Sequence, residues 1–311
     1  MKKFAVVLAG CGVFDGAEIT ETVLTLLAIE KAGASYQCFA PDIEQYHVID
    51  HIEGKPAGET RNVLTESARI TRGNTKALSE FKAGEFDALI FPGGFGAAKN
   101  LCSWAFEGDN AKVNHEVEKA VKAMHEAGKP IGAMCIAPVI LAILFRGAKL
   151  TTGQDPASGS FIEKKGNQSI TTDHGQVVID PVHKLFTTPC YMLDASITQI
   201  AEGTQNIINA MLNSEVANCE VAKFRMRHRS GIVKMRALNY SAFHYCAFRF
   251  SLFAISSLIS GISFGFFSMA FPTTIISAPA LSAFPAFPGS EMPPPTIRGT
   301  DISCLTLVII S

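Results

Sequence analysis

The chain has 311 residues, of which 48% are hydrophobic and 18% are charged, and its formal net charge is −1. This length allows one large domain or two of ordinary size. Residues 1–213 carry 19 Lys and Arg against 24 Asp and Glu, a net charge of −5, which argues against nucleic acid as a partner. The eight cysteines form no CxxC pair and have no metal-like spacing with histidine, which argues against a metal site and fits a reducing compartment.

The first predicted element is a β-strand in the sequence MKKFAVVLAGCG. Two lysines precede an apolar run of only six residues, and Gly-Cys-Gly ends that run. The run is too short for the apolar core of a signal peptide, and no Arg-rich transit peptide precedes it. We therefore predict a cytoplasmic protein.

Four short apolar runs bounded by glycine or proline are typical of fully buried parallel strands. They cover residues 4–9, 35–41, 86–94 and 129–134. Because helical patterns lie between them, we predict a doubly wound, mainly parallel α/β sheet with helices on both faces, a flavodoxin-like fold. Ligand sites of such sheets lie at the carboxyl ends of the strands, which here are residues 10–21, 92–98 and 134–138.

The helical patterns between and after these strands are equally clear. In residues 16–34, five apolar side chains fall on one side of a predicted helix that ends at Gly33. They are Ile19, Val23, Leu26, Leu27 and Ile29. Residues 114–130 predict a second helix, residues 176–193 a β-hairpin, and residues 195–212 an amphipathic helix that closes the domain.

Cys135 lies at the corner between the last of these strands and the following helix. Such a corner sets the side chain beside free backbone N–H groups, which lowers the pKa of a thiol and favours the thiolate. We expect the N–H groups of Ile136 and Gly94 to form an oxyanion hole there, with Gly93 allowing close approach of the backbone. The alternative is that Cys135 is a small buried core residue, the commonest role of a free cysteine.

Glu18 and Glu21 open the helix of residues 16–34, three residues apart and on one face. Acidic residues in a first helical turn often only complement the helix dipole, and this explanation suits both. A carboxyl group pressed against a thiolate in a dry cleft would instead stay protonated and act as an acid–base catalyst. Both interpretations stay open at this point.

Three motifs, LAGCGVFDGAEITETVL, FPGGFGAAKNL and AMCIAP, in this order and at this spacing resemble the ThiJ/PfpI superfamily, whose fold is class I glutamine amidotransferase-like. The blocks ETRNVLTESARITRG and TTPCYML narrow the similarity to ElbB-type glyoxalases, also described as isoprenoid biosynthesis proteins with an amidotransferase-like domain. The resemblance covers residues 1–213, which we predict to be one α/β domain.

The resemblance implies a glutathione-independent glyoxalase, a lyase of the hydro-lyase class that converts glyoxal or methylglyoxal to a 2-hydroxy acid without a metal or cofactor. It implies that Cys135 adds to the aldehyde carbon and that a carboxylate moves a proton through an enediol. Glu21 matches the family position that contacts the thiol and Glu18 lies one turn earlier, so both are catalytic candidates. Asn100 ends the second motif and is predicted to orient the substrate, although the same residues also begin a helix.

Departures from the superfamily pattern limit the chemistry. The residue after the cysteine is Ile136, where protease-like members have histidine, and no His-x-Glu tripeptide follows Cys135, as glutaminases require. Protease and glutaminase activities are therefore not expected. The alternative function is a non-enzymatic redox-responsive or regulatory protein that binds a metabolite and uses the same cysteine. Analogy with the superfamily further predicts a homodimer and allows a mitochondrial location beside the cytoplasmic one.

Residues 214–311 differ in composition from the rest of the chain. They carry 8 Lys and Arg against 4 Asp and Glu, and they hold 11 of the 22 Phe and 7 of the 15 Pro. Residues 251–271 contain no charged side chain and are long enough to span a bilayer. A membrane anchor is one interpretation. Sequence that arises from a frameshift or from unspliced read-through is the other, and we favour it because the composition changes where the resemblance ends.

Overall fold

The structure is a computed structural model that describes residues 1–228, with side chains up to Ser214. Apart from the helix that ends at His228, the predicted tail of residues 214–311 and its apolar segment, residues 251–271, lie outside the described residues. Within residues 1–228, no helix combines the length and the apolar character needed to cross a membrane.

A seven-stranded sheet forms the centre of the described part. Its strands are β1 (Lys3–Val7), β2 (Ser35–Ala40), β3 (Thr75–Ala77), β4 (Ala88–Phe91), β5 (Ile131–Met134), β6 (Val178–Asp180) and β7 (Leu185–Thr188). Their order is β6-β7-β5-β4-β1-β2-β3, and all neighbours are parallel except β6 and β7, which form the predicted hairpin. All residues of β4, β5 and β7 are buried, as expected for strands covered on both faces. The predicted fold class is confirmed.

Helices surround this sheet. They are α1 (Ile19–Lys31), α2 (Val63–Ile70), α3 (His115–Glu126), α4 (Pro138–Leu144), α5 (Pro156–Lys164) and α6 (Ile197–His228). The connections contain an α-helical turn at Trp104–Glu107, a π-helical turn at Ala97–Leu101, 3₁₀ turns at Leu78–Glu80, Ala83–Glu85, Gly108–Asn110 and Cys190–Met192, and the two-residue strand pairs Ile49–Asp50 with Lys55–Pro56 and Lys149–Leu150 with Gln168–Ser169. The predicted closing helix is α6, which continues beyond residue 212 to His228.

Helix α1 does not present the predicted apolar face to the core. Ile19, Val23 and Leu27 are 48%, 47% and 42% exposed, whereas Leu26 and Ile29 are buried as predicted. The inward face also contains Glu21, Thr22 and Thr25, which are completely buried. The hydroxyl groups of the two threonines donate to the backbone oxygens one turn earlier, at 2.7 and 2.6 Å, which satisfies them without water. The buried face of α1 therefore combines apolar side chains with polar groups that are hydrogen-bonded inside the protein.

Candidate active site

Cys135 follows β5 directly and precedes α4, so it forms a sharp corner at the carboxyl edge of the sheet. Its φ angle is 58°, in the left-handed region that residues with a Cβ atom rarely adopt. Its backbone N–H donates to the Thr188 oxygen at 3.0 Å, which fixes the corner to the end of β7. The side chain is 7% exposed. Backbone strain of this kind is typical of functional sites and persists only where the surrounding structure holds it, here through the hydrogen bond to Thr188.

Two backbone N–H groups interact with the Cys135 sulfur and act to lower the pKa of the thiol. One belongs to Gly94 in the loop after β4, and the other belongs to Ile136, the next residue in the corner. The structure thus brings together the two donors that the sequence predicted for an oxyanion hole. Donors fixed by the backbone in a buried site need no rearrangement when negative charge develops.

Gly93 lies where the loop after β4 crosses the thiol and the Glu21 carboxyl group. A Cβ atom at this position would overlap both the Cys135 side chain and Glu21 Oε2, with the sulfur only 2.9 Å away. The Gly93 N–H donates to Glu21 Oε2 at 2.9 Å. Glycine is therefore required because only a residue without a side chain lets the backbone reach the carboxyl group.

Glu21 is completely buried, and both of its carboxyl oxygens are held. Oε2 accepts the Gly93 N–H, Oε1 accepts the Tyr191 N–H at 3.0 Å, and the side chain also hydrogen-bonds the Cys135 thiol. Burial raises the pKa of Glu21 from its usual range to about 7, and the donors from Tyr191, Cys135 and Gly93 limit that rise. A carboxyl group with this pKa accepts and returns protons readily near neutral pH.

Glu18 has a different role from Glu21. It is the N-cap residue of α1, where its carboxylate accepts the Glu21 N–H at 2.5 Å. Its own N–H donates to the Gly93 oxygen at 2.9 Å and ties the start of the helix to the loop after β4. Of the two predicted carboxyl groups, Glu21 is therefore the one that contacts the thiol, and Glu18 caps the helix.

The predicted lowering of the thiol pKa at Cys135 is wrong in direction. Burial raises the pKa of this thiol well above its ordinary value, and the charge of Glu21 raises it further. The N–H groups of Gly94 and Ile136 act in the opposite direction but do not compensate for the lost hydration. Burial therefore raises the pKa of both groups, to about 7 for Glu21 and well above its ordinary value for Cys135.

Asn100 also differs from its prediction as a substrate ligand. It lies in the π-helical turn, is 6% exposed, and its amide nitrogen donates to the oxygens of Ala9 and Asp15, each at 2.9 Å. Its amide oxygen accepts the Tyr46 N–H at 3.0 Å. Both donors bind the loop after β1 and the amide oxygen binds the loop that contains Tyr46, so Asn100 supports the shape of the site and has no donor left for a substrate.

The segment after β7 also contributes to the site, which the sequence pattern did not indicate. Thr188 receives the Cys135 N–H, Tyr191 donates to Glu21, and Cys190 lies between them with a buried side chain and a φ angle of 42°. One signal was available, because β7 is parallel to β5 and their carboxyl ends must share an edge. The parallel pairing of β5 and β7 therefore places the TTPCYML block at the same edge as the other three strand ends.

We also searched the described residues for side chains that could bind a metal ion. Among these residues, no group of three or more His, Cys, Asp and Glu side chains is arranged to hold a metal ion. His183 instead pairs with the buried Asp180, with 3.4 Å between Nδ1 and Oδ2. The five described cysteines are all free thiols. The site is thus built from a thiol, a carboxyl group and backbone N–H donors.

Known proteins are similar to this chain in sequence and in fold. The model of the DJ-1/PfpI family matches residues 7–187. The human glutamine amidotransferase-like class 1 domain-containing protein 3, mitochondrial, is 44% identical over 220 residues, which cover 68% of this chain and 82% of that protein. The rat ES1 protein homolog, mitochondrial, is 41% identical over 220 residues, with 68% and 83% coverage.

A solved structure is also similar. The crystal structure of an isoprenoid biosynthesis protein with amidotransferase-like domain from Ehrlichia chaffeensis is 37% identical and has a TM-score of 0.63. The match covers 68% of this chain and 99% of that one. The sequence and structural matches thus agree on one family and one fold.

Proposed function

The chain belongs to the DJ-1/PfpI family, and on that premise we propose that it is a cofactor-independent glyoxalase acting on small 2-oxoaldehydes such as glyoxal and methylglyoxal. The observation that carries this proposal is that the Cys135 thiol and the Glu21 carboxyl group meet at Gly93, where an added Cβ atom would overlap both side chains, and that each group acts on the pKa of the other. A buried nucleophile that touches a carboxyl group with a pKa of about 7 suits a reaction made of one addition and several proton transfers.

The first step is addition to the aldehyde. The S–H bond of Cys135 breaks, its proton passes to the Glu21 carboxylate, and the sulfur bonds to the aldehyde carbon. The aldehyde oxygen takes up the negative charge and is then protonated by Glu21, which gives a hemithioacetal. The N–H groups of Gly94 and Ile136 act on the sulfur, so we expect them to stabilise the oxyanion that forms on the carbon bonded to it.

The next steps move hydrogen between the two carbons. Ionised Glu21 removes the proton from the carbon that bears sulfur, which forms an enediol, and returns a proton to the neighbouring carbon. The former ketone is now an alcohol, and Cys135 carries a thioester. Water hydrolyses the thioester to the 2-hydroxy acid and restores the thiol. The net reaction consumes one aldehyde and one water and needs no external oxidant or reductant.

The test is turnover without glutathione. The full-length chain is incubated with methylglyoxal, and lactate is measured. Cys135→Ala should lower the rate by at least about a thousandfold, as loss of a nucleophile does. The matched control is Cys38→Ala, the same change in β2, where the thiol is completely buried away from the site. If the wild-type chain forms no more lactate than Cys135→Ala, the glyoxalase proposal is refuted.

The redox-responsive alternative uses the same site. The donors on the Cys135 sulfur would also hold oxygen atoms added to it by peroxide. Mass spectrometry after mild peroxide treatment distinguishes the two functions. A stable mass increase on Cys135, in a protein that turns over no aldehyde, favours the sensor.

The cellular compartment of this chain is a separate question from its activity. The two curated relatives above carry the word mitochondrial in their names, whereas the sequence predicted a cytoplasmic protein with a mitochondrial alternative. We propose that the mitochondrial alternative be tested first. Fractionation of cells that express the chain with a tag at its carboxyl end, which leaves the amino end unchanged, separates the two locations.

A further inference from the structure

The segment after β7 contacts both members of the proposed catalytic pair. The Thr188 oxygen accepts the Cys135 N–H, and three residues later the Tyr191 N–H donates to Glu21 Oε1, each at 3.0 Å. Glu21 receives its other backbone donor from Gly93, on the loop after β4. The carboxyl group is therefore held between two loops, and the direction of the Tyr191 N–H depends on the residue before it.

That residue, Cys190, has a φ angle of 42°, although it is not glycine. A Cβ atom makes this left-handed conformation unfavourable, so the surroundings must stabilise it. The Cys190 side chain is buried, with its sulfur 3.9 Å from Met134 Sδ, and it faces Gly203 of α6. Packing of this small side chain against β5 and α6 holds the backbone in the strained form.

We propose that Cys190 is a positioning residue for the reaction proposed above: its left-handed backbone, anchored by the packed thiol, directs the Tyr191 N–H onto Glu21 Oε1. The inference rests on the proposed function for its importance, but the hydrogen bond that it explains exists in the resting protein. Cys190 does not touch the reacting atoms in this role.

The predicted consequence is a change in the proton affinity of Glu21. The titratable groups that face Glu21 are Glu18 from the preceding turn, Cys135 from the corner, and Cys190 and Tyr191 from the segment after β7. The Tyr191 N–H stabilises the ionised carboxylate, so its loss should raise the Glu21 pKa. A hydrogen bond to a charged group corresponds to a shift of about one to two pH units.

Three substitutions at one position separate backbone geometry from thiol chemistry. Cys190→Gly removes the thiol but accepts a positive φ freely, so the Glu21 pKa should stay near 7. Cys190→Val is β-branched and disfavours a positive φ, so the segment should relax and the pKa should rise. Cys190→Ala is milder and should lie between them, which gives a usable comparison even if the valine variant does not fold. Cys38→Val, in an ordinary strand, is the matched control.

The pKa is read in the full-length chain from the pH titration of ¹³C-labelled glutamate carboxyl groups, with Glu21→Gln to assign the signal and circular dichroism to check the fold. The order Gly, Ala, Val of increasing pKa supports the proposal. An unchanged pKa in a folded Ala or Val variant overturns it, as does a rise in the Gly variant equal to that in Ala or Val. No turnover is measured, so failure of the glyoxalase proposal would not affect this result.

Discussion

The Glu21 carboxyl group is completely buried, so its protonation state affects the free energy of unfolding. Its pKa is about 7 in the folded chain and ordinary in the unfolded chain. Between about pH 4.5 and 7 the folded form therefore binds a proton that the unfolded form has released, so stability falls as pH rises. We predict that this loss is about 3 kcal/mol in the wild-type chain and is absent in Glu21→Gln.

Denaturant unfolding of both chains across this pH range measures the difference. The comparison with Glu21→Gln removes the contributions of other groups, which the two chains share. A difference in unfolding free energy that does not change between pH 4.5 and pH 7 would contradict the assignment of the raised pKa to this carboxyl group.

Gly93 offers a second prediction at the scale of one residue. Alanine there would force the loop after β4 away from the Cys135 sulfur and from Glu21 Oε2. We expect Gly93→Ala to cost about 1–3 kcal/mol of stability and to lower the proposed activity by about a hundredfold, because the donors move. Gly84→Ala is the control, since no atom lies within 4 Å of its added Cβ. Equal activity of the two variants would show that the close approach is not needed.

Helix α1 shows how an element can be arranged around a site. Its inward face carries Glu21 to the thiol, and its outward face exposes Ile19, Val23 and Leu27 at spacings of four residues. Such a stripe on a solvent-facing helix is unusual for a monomer. It gives the homodimer expected from the superfamily a place to form, although dimerisation stays a prediction.

We predict that Val23→Glu dissociates the dimer without unfolding the chain, because the side chain is exposed in the single chain and a surface change costs little there. Size-exclusion chromatography with light scattering measures the mass. Val182→Glu makes the same change at a residue that is 80% exposed and lies in the turn of the β6–β7 hairpin, at one edge of the sheet. This control should leave the mass unaltered. A monomeric wild-type chain, or a dimer that survives Val23→Glu, would contradict the prediction.

The elements that were predictable from sequence are those whose pattern is local. The buried runs gave β1, β2, β4 and β5, and the hairpin of β6 and β7 followed from its turn. Helix α1 was located correctly but its buried face was not, because hydrophobic spacing cannot show that threonine hydroxyls will be satisfied by their own helix.

At the site, the residues that belong to local motifs were predictable, whereas the properties that depend on tertiary contacts were not. Cys135, Glu21 and the Gly93-Gly94 loop were found because motifs bring them to strand ends. The high pKa of the thiol and the use of Asn100 as a loop support depend on burial and on distant partners, which no local pattern reveals. The strained Cys190 was missed for the same reason.

The described molecule is closed by α6, which covers the sheet late in the chain. Ile200, Ile207, Ile208 and Met211 of this helix are buried, and Asn206 donates to the Gly175 oxygen at 2.8 Å. The last of these core contacts is at Met211, close to residue 213, where the composition changes. The domain boundary predicted at residue 213 implies that the residues after α6 do not contribute to the stability of the fold.

We predict that a chain ending at residue 228 unfolds cooperatively with the midpoint of the full-length chain. A chain ending at residue 196 lacks α6 and should lose its cooperative transition, because large apolar residues of the sheet would be exposed. Thermal unfolding followed by circular dichroism compares the three chains. If removal of residues 229–311 lowers the midpoint by more than about 5 °C, these residues contribute to the folded state and the boundary at 213 is wrong.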